Sequence, residues 1–142
     1  DAMQLNLPQL IFNGTSDVLK QTKYSQIAIF TVSMALVAVV KDLYPDIEPL
    51  ACAGLSLGEY AALCASNKLT LEQGVDLVIA RGQYMQEASE KYPGTLHVVL
   101  GLSSDIIKQV IDKAQAKVWI ANLNCPGQVV LSNNKALSAF FP

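Results

Sequence analysis

Arginine and histidine are nearly missing from this 142-residue sequence, where Arg81 and His97 stand alone. Nine lysines supply the remaining positive charge without forming a run, and the formal net charge is −2. That pattern excludes a basic surface built for nucleic acid. Cysteine is scarce too. Cys52, Cys64 and Cys125 are odd in number and contain no C-x-x-C pair, so neither a disulfide framework nor a zinc site is indicated. A reducing cytoplasm is the expected compartment. Charged residues make up only 15% of the chain against 51% apolar, the balance of a core-rich globular protein and not of a disordered one. A run of twenty apolar residues is also lacking. The longest candidate, "IAIFTVSMALVAVV" at 27–40, is shorter than the roughly 20 residues a membrane span needs. It contains Thr31 and Ser33 and runs into Lys41-Asp42. A buried core helix is expected there, and no membrane partner. "DAMQLNLPQL" has no basic segment followed by an apolar run, so no targeting leader is read in it.

What is present divides into two textures. Length allows one domain of ordinary size, or a small domain plus part of another. The first 23 residues read as irregular, with a turn signal at "NGTSD" (13–17). An interior helix is expected from about Tyr24 to Leu43, then a short buried strand of small residues in "PLACAGL" (49–55), then a helix over roughly 57–65. "TLEQ" (70–73) has the form of a capping box and opens a third helix, with an apolar stripe of Leu71, Val75, Val78, Gly82 and Met85. After Tyr92-Pro93-Gly94 the pattern becomes a strand (95–102), an amphipathic helix (103–115) and a strand (117–124). A Pro126-Gly127 turn, a strand (128–133) and the start of another helix in "NKALSAFF" complete it. The order β-α-β-β-α is most of a ferredoxin-like unit. A domain boundary is therefore expected near Pro93, giving residues 1–93 and 94–142.

"AGLSLGEYAAL" (53–63) sets Ser56 between Gly54 and Gly58 at the G-x-S-x-G spacing. One reading is purely structural, because Ser56-Leu57-Gly58-Glu59 is itself an S-x-x-E capping box. The other is a nucleophile elbow, which needs a strand before the serine, a helix after it, and glycines where side chains would clash. Such a turn would hold the hydroxyl clear of the backbone. The N–H of Leu57 and the helix dipole could then stabilise an oxyanion.

"GLSLGEYAAL", followed by "ARGQYMQEA" and "NLNCPGQVV", resembles the malonyl-CoA:acyl carrier protein transacylases of fatty acid synthesis and the related acyltransferase domains of polyketide synthases. The resemblance runs along essentially the whole chain. It implies an α/β hydrolase-like core, incomplete here, in residues 1–93, and most of a ferredoxin-like α+β subdomain in residues 94–142. It further implies Ser56 as nucleophile, the Leu57 backbone N–H in the oxyanion hole, Arg81 as partner of the malonyl carboxylate, and Met85 on the acyl pocket. Malonyl-CoA and acyl carrier protein are the implied partners, with no metal and no cofactor. Asn124 and Gln128 fall in the family's "N-x-N-x-P-G-Q" stretch without an assigned role. Two departures stand out. Leu55 replaces the family's usual histidine before the serine. The family's "P-G-Q-G" loop and general-base histidine would lie before Asp1 and after Pro142, so the segment alone is expected to be inactive.

Read from the residues alone, Arg81 could be a snorkelling surface side chain. Yet a planar fork of donors that stays charged is what a bidentate grip on a carboxylate requires, and lysine serves every other cationic position. The resemblance favours the substrate role. His97, inside "LHVVL", is expected to be a partly buried strand residue and not the base for Ser56. Cys52 and Cys64 read as small core residues, and Cys125 as an exposed one beside the turn. Two other functions share the elbow: a serine hydrolase or thioesterase, and a binding domain that has kept the fold without the chemistry.

Overall fold

The computed structural model describes residues 6–115 and 117–134. Its contacts divide the chain into two units, one through Glu87 and one from Ala88 onward.

The first unit is helical. Helix α1 (Leu7–Asn13) and the single turn α2 (Ser16–Leu19) occupy a stretch expected to be irregular. The local chemistry explains α1: Asn6 Oδ1 accepts from the Gln9 N–H at 3.0 Å and Pro8 sits in the first turn, a start signal for a helix. Helix α3 runs from Thr22 to Leu43, 22 residues. Only its first half is interior. Gln26, Ile27, Ala28 and Phe30 are buried, whereas Leu36, Val39, Val40 and Leu43 are exposed. The expectation of a helix buried nearly all round is corrected accordingly. The length argument against a membrane span is also corrected, because the helix is longer than its fourteen-residue apolar run and meets the requirement of a span by length and composition.

Residues 49–54 have no ladder partner among the described residues and are not a strand. A strand exists only through a hydrogen-bonded neighbour, and the buried strand expected at 49–55 has none here. Helix α4 (Gly58–Ala65) follows, then α5 (Leu71–Lys91). The box at the start of α5 closes in both directions: Thr70 N–H donates to Gln73 Oε1 at 3.0 Å, and Gln73 N–H to Thr70 Oγ1 at 3.2 Å. The buried face of α5 is Gly74, Val78 and Gly82: Val78 and Gly82 lie on the expected stripe and Gly74 beside it, while the stripe's ends, Leu71 and Met85, are exposed. The two glycines set how closely this face is approached. A Cβ on Gly74 would lie 2.7 Å from Phe30 Cζ, and one on Gly82 3.1 Å from Lys23 Cα, so α3 and α5 approach along a glycine face. Ile27, Phe30, Cys64 and Val78 form the core there.

The second unit is a three-stranded antiparallel sheet, β1 (Gly94–Leu100), β2 (Val118–Cys125) and β3 (Gln128–Asn134), in the order β1-β3-β2. His97 pairs with Leu131, and Ile120 pairs with Leu131 from the other side. Helix α6 (Ser104–Ala114) is capped by Ser103 and buries Ile107 against Val118, Val129 and Leu131. Gly127, at φ 79°, supplies the positive φ that the Pro-Gly turn between β2 and β3 requires. The helix expected in "NKALSAFF" lies outside the described residues beyond Asn134. Over the described residues the chain is thus a mixed α/β protein with one small antiparallel sheet.

Candidate active site

Among the described residues three that are not glycine have positive φ: Ser56 (55°), Asn67 (57°) and Gln115 (48°). Asn67 and Gln115 follow the ends of α4 and α6, where a left-handed residue is an ordinary way to stop a helix. Ser56 precedes a helix, and no capping motif calls for that conformation. It turns the chain sharply between residues 49–54 and α4.

The glycine two residues earlier makes the turn possible. A Cβ on Gly54 would lie 2.1 Å from the carbonyl carbon and oxygen of Gly58, so the backbone crosses itself at a distance that only glycine tolerates. A side chain on Gly58 would meet nothing within 4 Å. Only the first of the two glycines is required by crowding.

The S-x-x-E box does not form. Leu57 is the N-cap residue of α4, without any side-chain cap. Carbonyls of Leu55, Ser56 and Leu57 accept from the N–H groups of Gly58, Glu59 and Tyr60 at 2.9, 3.2 and 3.2 Å. This leaves the N–H of Leu57 outside the ladder, at the positive end of the helix. The Ser56 hydroxyl points elsewhere: Arg81 Nη2 donates to its Oγ at 2.7 Å.

Arg81, half-buried on α5, is held from the other end by α3. Its Nη1 donates to Gln26 Oε1. Gln26 is 5% exposed, and its own Nε2 donates to Thr22 Oγ1 at 2.8 Å and to Met85 Sδ at 3.3 Å. The amide has one possible orientation. A guanidinium offers only donors, so the oxygen must face it. The Arg81 Cζ also lies 5.8 Å from the centre of the Tyr60 ring on α4, within cation–π range. Three helices therefore fix one cation beside one hydroxyl, and the guanidinium has five donors of which these contacts take two.

Of the residues singled out from the sequence, Ser56, Arg81 and Met85 come together through Gln26, with Leu57 directly after the serine. His97, Asn124 and Gln128 belong to the second unit. The His97 Nε2 lies 3.1 Å from Thr95 Oγ1, and Asn124 Nδ2 donates to Gln128 Oε1 at 2.9 Å across the hairpin. Cys52 is half-buried, Cys64 buried and Cys125 exposed. Burial pushes the Cys64 thiol up, away from thiolate chemistry. Sequence reasoning missed Gln26, Thr22 and Tyr60. The available signal was an amide embedded in the apolar run "SQIAIF", on the face that Ile27 and Phe30 bury.

Comparison with known proteins gives the family. A family model described as an acyl transferase domain matches residues 1–140. The malonyl CoA-acyl carrier protein transacylase of Bacillus subtilis (strain 168) is 38% identical over 135 residues, covering 93% of this chain and 42% of that protein. The crystal structure of the transacylase of the same name from Clostridium perfringens superposes with a TM-score of 0.82 at 34% identity, over 97% of this chain and 44% of that one. A type II PKS acyl-carrier protein in complex with its malonyl-transacylase gives a TM-score of 0.81 at 32% identity, over 94% and 43%. The chain spans less than half the length of these relatives. Matched along nearly its whole length by that model, it belongs to the acyl transferase family.

Proposed function

We propose that this chain carries the nucleophile and the carboxylate grip of a malonyltransferase, which moves a malonyl group from coenzyme A to the phosphopantetheine thiol of acyl carrier protein in fatty acid synthesis. The observation that carries this reading is the 2.7 Å contact between Arg81 Nη2 and Ser56 Oγ at a strained turn. A thioester presented to Ser56 thereby brings its free carboxylate to the one guanidinium in the sequence.

In the first step Ser56 Oγ attacks the thioester carbonyl carbon. The C–S bond breaks, coenzyme A leaves as the thiol, and a malonyl-serine ester remains. The Leu57 N–H is the donor for the oxyanion, Arg81 holds the carboxylate, and Met85 faces the acyl chain. In the second step the carrier thiol attacks the ester and Ser56 regains its proton. Two half-reactions through one covalent intermediate give ping-pong kinetics. Among the described residues no side chain hydrogen-bonded to Ser56 can accept its proton, so turnover by the 142-residue chain alone is expected to be negligible. The same reading assigns residues 1–93 to a hydrolase-like core and 94–142 to a ferredoxin-like subdomain, which the β1-α6-β2-β3 order supports. It also assigns the protein to the cytoplasm.

Two measurements on the intact enzyme test it. Ser56→Ala should abolish the malonyl adduct seen by mass spectrometry after brief exposure to malonyl-CoA. An adduct that persists moves the nucleophile elsewhere. Arg81→Ala should lower kcat/KM for malonyl-CoA by about 30- to 5,000-fold, the effect of removing one partner of a paired charge worth about 2–5 kcal/mol, and leave acetyl-CoA little changed. Equal losses for both donors in a folded variant would falsify the carboxylate role. Product analysis separates transfer from hydrolysis, since a hydrolase releases free malonate and a transferase acylates the carrier.

A further inference from the structure

The Arg81 guanidinium is restrained in two different ways. Its hydrogen bonds, from Nη1 to Gln26 Oε1 and from Nη2 to Ser56 Oγ, run along N–H directions that lie in the plane of the group. Such bonds leave it free to tip about the line joining the two acceptors. The contact that resists tipping is with a ring: Arg81 Cζ lies over Tyr60, 5.8 Å from the ring centre. Among the described residues Lys23 also sits over Tyr24, and Lys91 over Tyr92. Those pairs are chain neighbours and meet for that reason alone. Arg81 and Tyr60 belong to α5 and α4 and meet only through the fold. The ring is held from behind, since Tyr60 is half-buried and packs on the core of Ile27, Phe30, Cys64 and Val78. It also stands four residues after Ser56, one helical turn on, so nucleophile and ring are carried by the same element.

We propose that Tyr60 is a specificity-determining positioning residue: its ring sets the tilt of the Arg81 guanidinium, and so how strongly an acyl donor with a free carboxylate is preferred to a neutral one. This rests on the malonyltransferase reading and deepens it by naming the part that keeps the grip aligned. Gln26 and Ser56 take two of the five N–H groups, and three remain for a carboxylate. A two-pronged contact needs a pair of them in the carboxylate's own plane. A tipped guanidinium offers one good bond in place of two. A neutral acyl group makes no such demand, so loss of the tilt falls on malonyl-CoA and spares acetyl-CoA. The ring acts through the negative face of its π system, and the Tyr60 hydroxyl has no part in it.

Fluorine separates this role from simple packing, because it draws electron density from the face of a ring while nearly preserving its size. In the intact enzyme Tyr60 is replaced by phenylalanine and by phenylalanine bearing one, two and three ring fluorines, and kcat/KM is measured for malonyl-CoA and acetyl-CoA. Tyr60→Phe should hold both values within about twofold, since it keeps the ring face. Each added fluorine should then lower the malonyl-CoA value by a similar factor, reaching about three- to tenfold at three fluorines, the range of a cation–π contact, with acetyl-CoA unchanged. A flat malonyl-CoA series overturns the role of the ring. So does a loss already complete in Tyr60→Phe, which would make the hydroxyl the working part, and so do equal losses for both donors, which would make the effect one of packing. The grip itself is judged by Arg81→Ala, measured alongside. Equal losses for both donors in that variant overturn the carboxylate reading and the Tyr60 role with it.

Discussion

At residue 56 a side chain with a Cβ sits at φ 55°, where that carbon crowds the following carbonyl at a cost of about 1–2 kcal/mol. Ser56→Gly should therefore leave the stability of the protein unchanged or raise it by up to about 1 kcal/mol in chemical denaturation, although it deletes the hydroxyl. A helix cap would respond in the opposite sense, with a loss. Gly54 behaves differently. Its missing Cβ would overlap the Gly58 carbonyl at 2.1 Å, so Gly54→Ala should cost about 3 kcal/mol, the upper end for overpacking. Gln26→Ala removes the anchor of Arg81. We expect kcat/KM for malonyl-CoA to fall about tenfold, a hydrogen bond to a charged group, with the acetyl-CoA rate steady. Ser56 and Arg81 were legible because their spacing or rarity marks them. Gln26 was not, because its meaning lies entirely in a partner 55 residues away.

Among the elements, the ends were better written than the faces. Thr70 and Gln73 announce the start of α5, and Ser103 that of α6, because a cap is a local bargain between neighbours in sequence. The expected stripe of α5 held Val78 and Gly82 but missed Gly74, to which a hydrophobicity pattern gives no weight. Here Gly74 and Gly82 are what let α3 come close. Gly74→Ala would set a Cβ 2.6 Å from Cys64 Sγ and 2.7 Å from Phe30 Cζ, and should destabilise the helical unit by about 1–3 kcal/mol. Residues 49–54 were misread for the complementary reason: a run of small apolar residues can suggest a strand but cannot supply its neighbour. Cys64 gives a pH signature. Burial raises its folded pKa above the unfolded value, so its contribution to stability is complete below the unfolded pKa of about 8.5 and is lost as pH rises through the folded one. Alkylation by iodoacetamide near neutral pH should accordingly be fastest at exposed Cys125 and slowest at Cys64.

At the scale of the whole chain, a run of large apolar side chains stays exposed on the helical unit. Leu36, Val40, Leu43, Ile47 and Leu50 are all exposed within one stretch of the helical unit. Such a patch binds hydrophobic dyes and drives association. Leu36→Lys with Val40→Lys should reduce both dye fluorescence and self-association in light scattering, without altering carboxylate binding at Arg81. The sheet of the second unit has a history written into its order. Its central strand, β3, is the last of the three in the sequence. A ribosome adding about 5–20 residues per second leaves β1 waiting roughly two to eight seconds between making Gly94 and reaching its partner Asn134. β2 is finished during that interval and gains nothing from β1, because neither outer strand touches the other. Leu96, Val98 and Leu100 spend the whole delay unpaired on the nascent chain, so the second unit asks most of the cell's chaperones during translation, before any chemistry can begin.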